Sequence, residues 1–252
     1  MTVRLLVMIC GLKSVVGVHE GFIVGGDYVD SVTRFPHVAV LSITRHDDSE
    51  ATCGSSILNQ QILITVAHCF DDVIKVRIYV GNSDRRKGIL HRINRYYQHK
   101  DWNPRKVIND IALARLKKPL SFGQTVKRII VMRKPPKMKI AEVAGWGVTD
   151  EDYYSESHLL KHTKQKLWTL KECREILPRA PTGTICGGEK KAKNNFASHG
   201  DSGSGLIINK NILIGMVSYK VMEVSRSLVV YTHAPSYYDW IVKESRRLSC
   251  QN

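Results

Sequence analysis

The run SHGDSGSGL, residues 198–206, sets Ser202 between Asp201 and Gly203 in a stretch too rich in glycine to fill a core. A serine hydroxyl is a weak nucleophile. It needs a base in hydrogen-bonding reach, and the base needs an orienting partner. Two other short segments carry those residue types: TVAHC puts His68 beside Cys69 at the end of an apolar run, and NDIALARL puts Asp110 at the start of another. Each has an ordinary reading by itself. Ser202 reads as part of a polar loop, His68 as a structural histidine beside a cysteine, and Asp110 as a turn residue. In the chain order His, Asp, Ser they form a set: base, orienter and nucleophile.

Such a set must be carried by elements that bring distant segments together. Short apolar and β-branched runs separated by turn signals recur along the chain, among them HVAVLSI, VIKVRIYVG, IALARL, KIAEVAGWG, NILIGMVSY and SLVVYTH. That spacing predicts an antiparallel all-β protein, a sandwich or a barrel. The end differs. In SYYDWIVKESRRL, residues Tyr237, Trp240, Ile241 and Leu248 share one helical face, which predicts a terminal helix docked on the β body. No internal sequence repeat or low-complexity linker interrupts the pattern.

With 252 residues and 43% hydrophobic content, the chain can build one substantial unit or two small barrels sharing a core. The opening MTVRLLVMICGLKSVVGVHEGF has a positive Arg4, a short apolar core and small residues around Gly17, although Lys13 interrupts it. It reads as a secretory signal over residues 1–17, followed by a short activation peptide over 18–22. Six cysteines are present, and Cys10 would leave with the signal. Five then remain, enough for two bridges with one thiol left over, which is either an unpaired Cys250 or part of an intermolecular link. No C-x-x-C pair marks a zinc site, and no apolar run is long enough to span a bilayer.

Lysine and arginine number 38 against 23 acidic residues, a formal net charge of +15. The basic residues are scattered, and none forms the basic helix or aromatic-interleaved patch of a nucleic-acid reader. A soluble cationic surface is the plain reading. Weak attraction to anionic surfaces is the sharper one.

On these residues the chain resembles the chymotrypsin-like (trypsin-like) serine peptidases, over nearly all of residues 23–252. The motifs are IVGG from Ile23, TVAHC, DIALARL, GWG from Gly145, GDSG, VSY from Val217 and VYT from Val230. The order also argues against α/β-hydrolases, where the serine comes first. The resemblance implies two six-stranded antiparallel β-barrels, divided near residue 130, with a C-terminal helix. It implies a triad of His68, Asp110 and Ser202, with Ser218 supporting the aspartate and the backbone N–H groups of Gly200 and Ser202 forming an oxyanion hole. It further implies bridges Cys53–Cys69 and Cys173–Cys186, which would leave Cys250 unpaired. A zymogen also follows, whose cleavage before Ile23 frees an α-amino group to pair with Asp201. No cofactor is implied. Protein or peptide substrates and protein protease inhibitors are the expected partners, in a secreted, extracellular setting. The lack of a regulatory module before Ile23 favours a digestive role.

Several positions depart from the family pattern. Phe22 precedes the scissile bond where Arg or Lys is common, so activation by a trypsin-type cut is not expected. Phe196 takes the base of the specificity pocket, and Lys220 and Val229 take wall positions that are usually glycine. Large side chains there predict a non-tryptic, restricted pocket that prefers small residues, with Lys220 offering a charge partner for an acidic one. Ser198 replaces a bridging cysteine, Ala141 occupies the first position of another lost bridge, and Ser204-Gly205 replaces Gly-Pro. The loop that binds calcium in some relatives reads GNSDRRKG here, and its cations would repel a metal. None is expected. Two other functions compete with the endopeptidase: a catalytically silent homologue kept for binding, and a cationic effector acting without Ser202.

Overall fold

The computed structural model describes residues 23–150, 155–189 and 195–250. The expected signal and activation peptides, with Cys10 and Phe22, lie outside the described residues. Twelve strands form the body. The first six are β1 (Val38–Arg45), β2 (Glu50–Ile57), β3 (Ile62–Thr65), β4 (Val73–Val80), β5 (Ile89–Gln98) and β6 (Ala112–Leu116). They hydrogen-bond in the order β1-β2-β3-β6-β5-β4, and β1 closes the ring by pairing with β4. The next six are β7 (Ile140–Gly145), β8 (Lys161–Trp168), β9 (Thr184–Gly187), β10 (Gly205–Ile208), β11 (Ile212–Lys220) and β12 (Val229–His233). Their order is β7-β8-β9-β12-β11-β10, closed by the β10–β7 pairing. The fold is therefore two closed six-stranded antiparallel barrels, and both are wound in the same order.

Closure removes the exposed edges that an open sheet would present. Alternation is clear on β4, where Val76, Ile78 and Val80 are buried while Lys75, Arg77 and Tyr79 face outward. The largest apolar cluster belongs to neither barrel alone. It joins Leu41, Ile64 and Leu113 of the first to Ile207, Leu213 and Met216 of the second.

Helix α1 (Leu170–Ile176) opens on a capping box, in which Thr169 and Glu172 each accept from the other's backbone N–H. Helix α2 (Tyr238–Cys250) buries Ile241 and Leu248, and Trp240 stacks on Tyr97 of β5. Tyr237 falls in the 3-10 turn just before α2 rather than in the helix. Among the described residues no helix is long and apolar enough to cross a membrane.

Candidate active site

Three segments meet where the barrels face each other. His68 stands in a 3-10 turn, Ala67–Phe70, directly after β3. That turn is pinned from behind, because Cys69 is bonded to Cys53 of β2. Asp110 lies just before β6, after two non-glycine residues, Val107 and Asn109, held at positive φ. The hydroxyl of Tyr237 donates to Asn109 Oδ1 at 3.1 Å, and Thr232 Oγ1 donates to the Asp110 carbonyl at 2.7 Å. Neither contact was legible in the sequence, since no motif points Thr232 at the Asp110 carbonyl or Tyr237 at Asn109.

The Asp110 carboxylate is buried and takes three donors. His68 N gives to Oδ1 at 3.0 Å, His68 Nδ1 to Oδ2 at 2.9 Å, and Ser218 Oγ to Oδ2 at 2.5 Å. A carboxylate can only accept, so the imidazole proton sits on Nδ1 and the Nε2 lone pair is left facing away from Asp110. His68 and Ser202 border one cavity of about 300 Å3. No hydrogen bond joins their side chains among the described residues. Catalytic contacts of this kind are commonly loose before substrate arrives.

The loop carrying Ser202 is shaped by glycine at points of close approach. Gly203 adopts φ +81°, and a Cβ there would stand 2.0 Å from Thr65 Oγ1 and 2.3 Å from the Gly54 carbonyl oxygen. Gly200 adopts φ +85°, also strained for any other residue. The carbonyl of Ser202 accepts from Gly54 N at 2.7 Å, and Gly203 N gives to the Val217 carbonyl at 2.8 Å. The nucleophile is thus held by the first barrel on one side and by the second on the other.

Asp201 is fully buried and accepts from Gly147 N and Ser198 N, each at 2.9 Å. Burial pushes its pKa up to about 6, with Lys220 pulling weakly the other way. The GWG motif has its reason here. A Cβ on Gly145 would lie 2.1 Å from Asp201 Oδ1, and one on Gly147 would lie 2.6 Å from Oδ2. Ile23 is buried as well, and among the described residues no hydrogen bond or ion pair joins it to Asp201.

Phe196, Lys220 and Val229 come together. Phe196 is buried among Val217, Val229 and Tyr231. The Lys220 ammonium lies 4.3 Å from the centre of its ring, and Lys220 pairs directly across from Val229. Phe196 N also donates to the Val24 carbonyl at 3.2 Å. Lys220, Ser198, His199 and Met222 line the cavity beside Ser202. Burial raises the pKa of the Tyr231 phenol, whose hydroxyl has no hydrogen-bond partner among the described residues. His199 and Met222 went unrecognised in the sequence because neither carries a motif.

Cys173 is bonded to Cys186, and Cys250 is free and exposed. Cys53, His68 and Cys69 place ligand-type atoms within 4.8 Å of one another. Both sulfurs are committed to the bridge, which leaves one nitrogen and no metal-binding set. Asp84, in the basic loop, is taken by Arg86 through two contacts, at 3.0 and 2.9 Å.

Comparison with known proteins places the fold and the family. The trypsin family model matches residues 23–241. Trypsin epsilon of Drosophila erecta is 30% identical over 243 residues, covering 91% of this chain and 90% of that protein. A collagenase of Hypoderma lineatum is 28% identical over 242 residues, covering 90% and 89%. The solved structure of a scabies mite inactivated protease paralogue superposes with a TM-score of 0.78 at 23% identity, covering 88% and 97%, and shares the fold alone.

Proposed function

Because the chain belongs to the trypsin family of serine peptidases, we propose that it is a secreted serine endopeptidase, made as a zymogen and working through an acyl-enzyme. The observation that carries this reading is the grip of Asp110 on His68, which leaves Nε2 free to serve Ser202. His68 Nε2 takes the hydroxyl proton as Ser202 Oγ attacks the substrate carbonyl carbon. The oxygen of that carbonyl becomes an oxyanion, held by the N–H groups of Gly200 and Ser202. One such donor contributes about 3 kcal/mol in related sites. The C–N bond then breaks, and the amine leaves with the proton from His68. Water repeats the sequence with His68 as base, releasing the acid and restoring Ser202. General acid–base help of this type contributes roughly 10²–10⁴-fold.

Secretion is supported by the signal-like opening and by two disulfides, which persist in oxidising compartments. The zymogen reading rests on Asp201. A carboxylate on two N–H groups in a dry site lacks a counter-charge in contact, and cleavage before Ile23 would supply an ammonium. Since Phe22 precedes that bond, the activator cuts after an aromatic residue. Protein inhibitors that present a substrate-like loop would enter the same cleft.

The pocket beside Ser202 is walled by Lys220, whose ammonium rests on the buried Phe196 ring behind it, so small side chains fit. A short acidic one is the charged kind it accepts. A peptide library cut by protein processed at Ile23 should show Ala, Ser or Asp before the scissile bond. A preference for Arg or Lys would refute the pocket assignment.

The decisive experiment uses a fluorophosphonate probe. Processed protein should label, and Ser202→Ala should not. Absence of labelling after verified cleavage at Ile23 would favour the silent homologue, and activity retained by Ser202→Ala would favour the effector.

A further inference from the structure

The outer flank of the first barrel holds an open groove of about 560 Å3 between β4 and β5. Its walls carry Lys75, Arg77, Arg92, Arg95 and Lys117, and no acidic residue. None of its lining residues borders the cavity at Ser202. Among the described residues, no carboxylate pairs with Lys75, Arg77, Arg92 or Lys117.

The register makes this more than a share of a basic surface. Arg77 stands directly opposite Arg92 across the β4–β5 ladder. Like charges at directly opposed positions destabilise a sheet, so the Arg77–Arg92 pair works against its own ladder. A bound anion would relieve that conflict. The groove is also apolar in part, with Ile74 55% and Tyr96 40% exposed within it.

We propose that this groove is an interaction surface for an extended, acidic segment of a partner protein in which carboxylates alternate with apolar side chains. Lys75 and Arg77 sit two residues apart on one strand face, which is about 6.7 Å. Alternate residues of an extended peptide repeat at that same distance. Ile74 and Tyr96 supply contacts for the apolar residues between, which a purely anionic chain such as a sulfated polysaccharide would leave uncovered. Being exposed, the cations act partly by steering, so binding weakens as salt rises.

The test uses the intact chain and needs no peptidase activity. A fluorescent twelve-residue peptide alternating Glu with Val or Tyr is titrated by anisotropy. An all-Glu/Ser peptide of equal charge and a heparin oligosaccharide are titrated in parallel. The Glu/Val peptide should bind at least 5-fold more tightly than the other two. Arg77→Glu with Arg92→Glu should weaken it at least 10-fold, while Lys127→Glu with Arg128→Glu, elsewhere on the surface, should change it less than 2-fold. Equal loss in both double variants, no binding by the wild type, or tighter binding of the oligosaccharide would each overturn the proposal. The single variants Arg77→Gln and Arg92→Gln guard against misfolding. Their thermal midpoints should hold or rise, and a fall in both would show that the opposed guanidinium groups are not in conflict.

Discussion

Asp201 carries the clearest residue-level consequence. Its folded pKa of about 6 stands above the ordinary 3.8, so the folded chain holds this proton more tightly than the unfolded chain does. Stability from this group is therefore greatest at low pH and falls as pH rises from about 4 to about 6, by roughly 3 kcal/mol in all. In the unprocessed chain, Asp201→Asn should remove that slope. The difference in unfolding free energy between variant and wild type, measured in urea at pH 4 and pH 7, should shift by this amount in favour of the variant. Processing at Ile23 should abolish the shift, because an ammonium would then favour the charged form. A wild-type slope unchanged by processing would contradict the zymogen reading. At this scale the sequence was most legible. His68, Asp110, Ser202, Gly200 and Ser218 each stand in a short motif, and motifs survive where the chemistry of a position permits few residues. The clamps behind them were not legible: Thr232 stands in the VYT run, but nothing there points to the Asp110 carbonyl, and Tyr237 reaches Asn109 through a common residue type outside any motif.

Among the elements, the loop from Gly200 to Ser204 depends most on backbone geometry. Gly203→Ala would press a methyl into the Thr65 hydroxyl and the Gly54 carbonyl at a positive φ. The expected loss is at least about 2 kcal/mol, seen as a lower urea midpoint, together with loss of fluorophosphonate labelling. An Ala variant as stable and reactive as the wild type would mean that the loop does not need this approach. Strands with apolar alternation, such as β4, β6, β11 and β12, were readable from sequence. β5 and β8 were not. β5 spends its outward positions on Arg92 and Arg95, and β8 reads KHTKQKLW. There Lys161 is buried with Nζ on the Gly26 carbonyl at 3.1 Å and over the Tyr28 ring at 4.0 Å. A lysine whose amine finds a carbonyl and an aromatic face can occupy an interior strand, but composition alone argues against it. Helix α1 had a usable signal, the Thr169–Glu172 capping pair, in a stretch too short to show periodicity.

For the whole molecule, the repeated strand order of the two barrels was invisible in the sequence, because burial patterns can be met by many residue combinations while topology stays the same. The disulfides divide their labour between the barrels. Cys53–Cys69 and Cys173–Cys186 close loops of similar length, 16 and 13 residues apart, and each should stabilise by about 3 kcal/mol. The double variant Cys173→Ser/Cys186→Ser should lose that stability yet label normally once folded. Cys53→Ser/Cys69→Ser should lose as much and also label more slowly, since Cys69 directly follows His68. Equal labelling rates in the two would show that the first bridge does not steady the base. The Val24–Phe196 contact has a wider effect. It fastens the chain at Val24 to the residue whose ring lies under Lys220 at the edge of the cavity beside Ser202, so on the proposed zymogen reading a cut before Ile23 and the shape of that recess would be mechanically coupled. Anything lodged in that recess should therefore help draw the new chain end home.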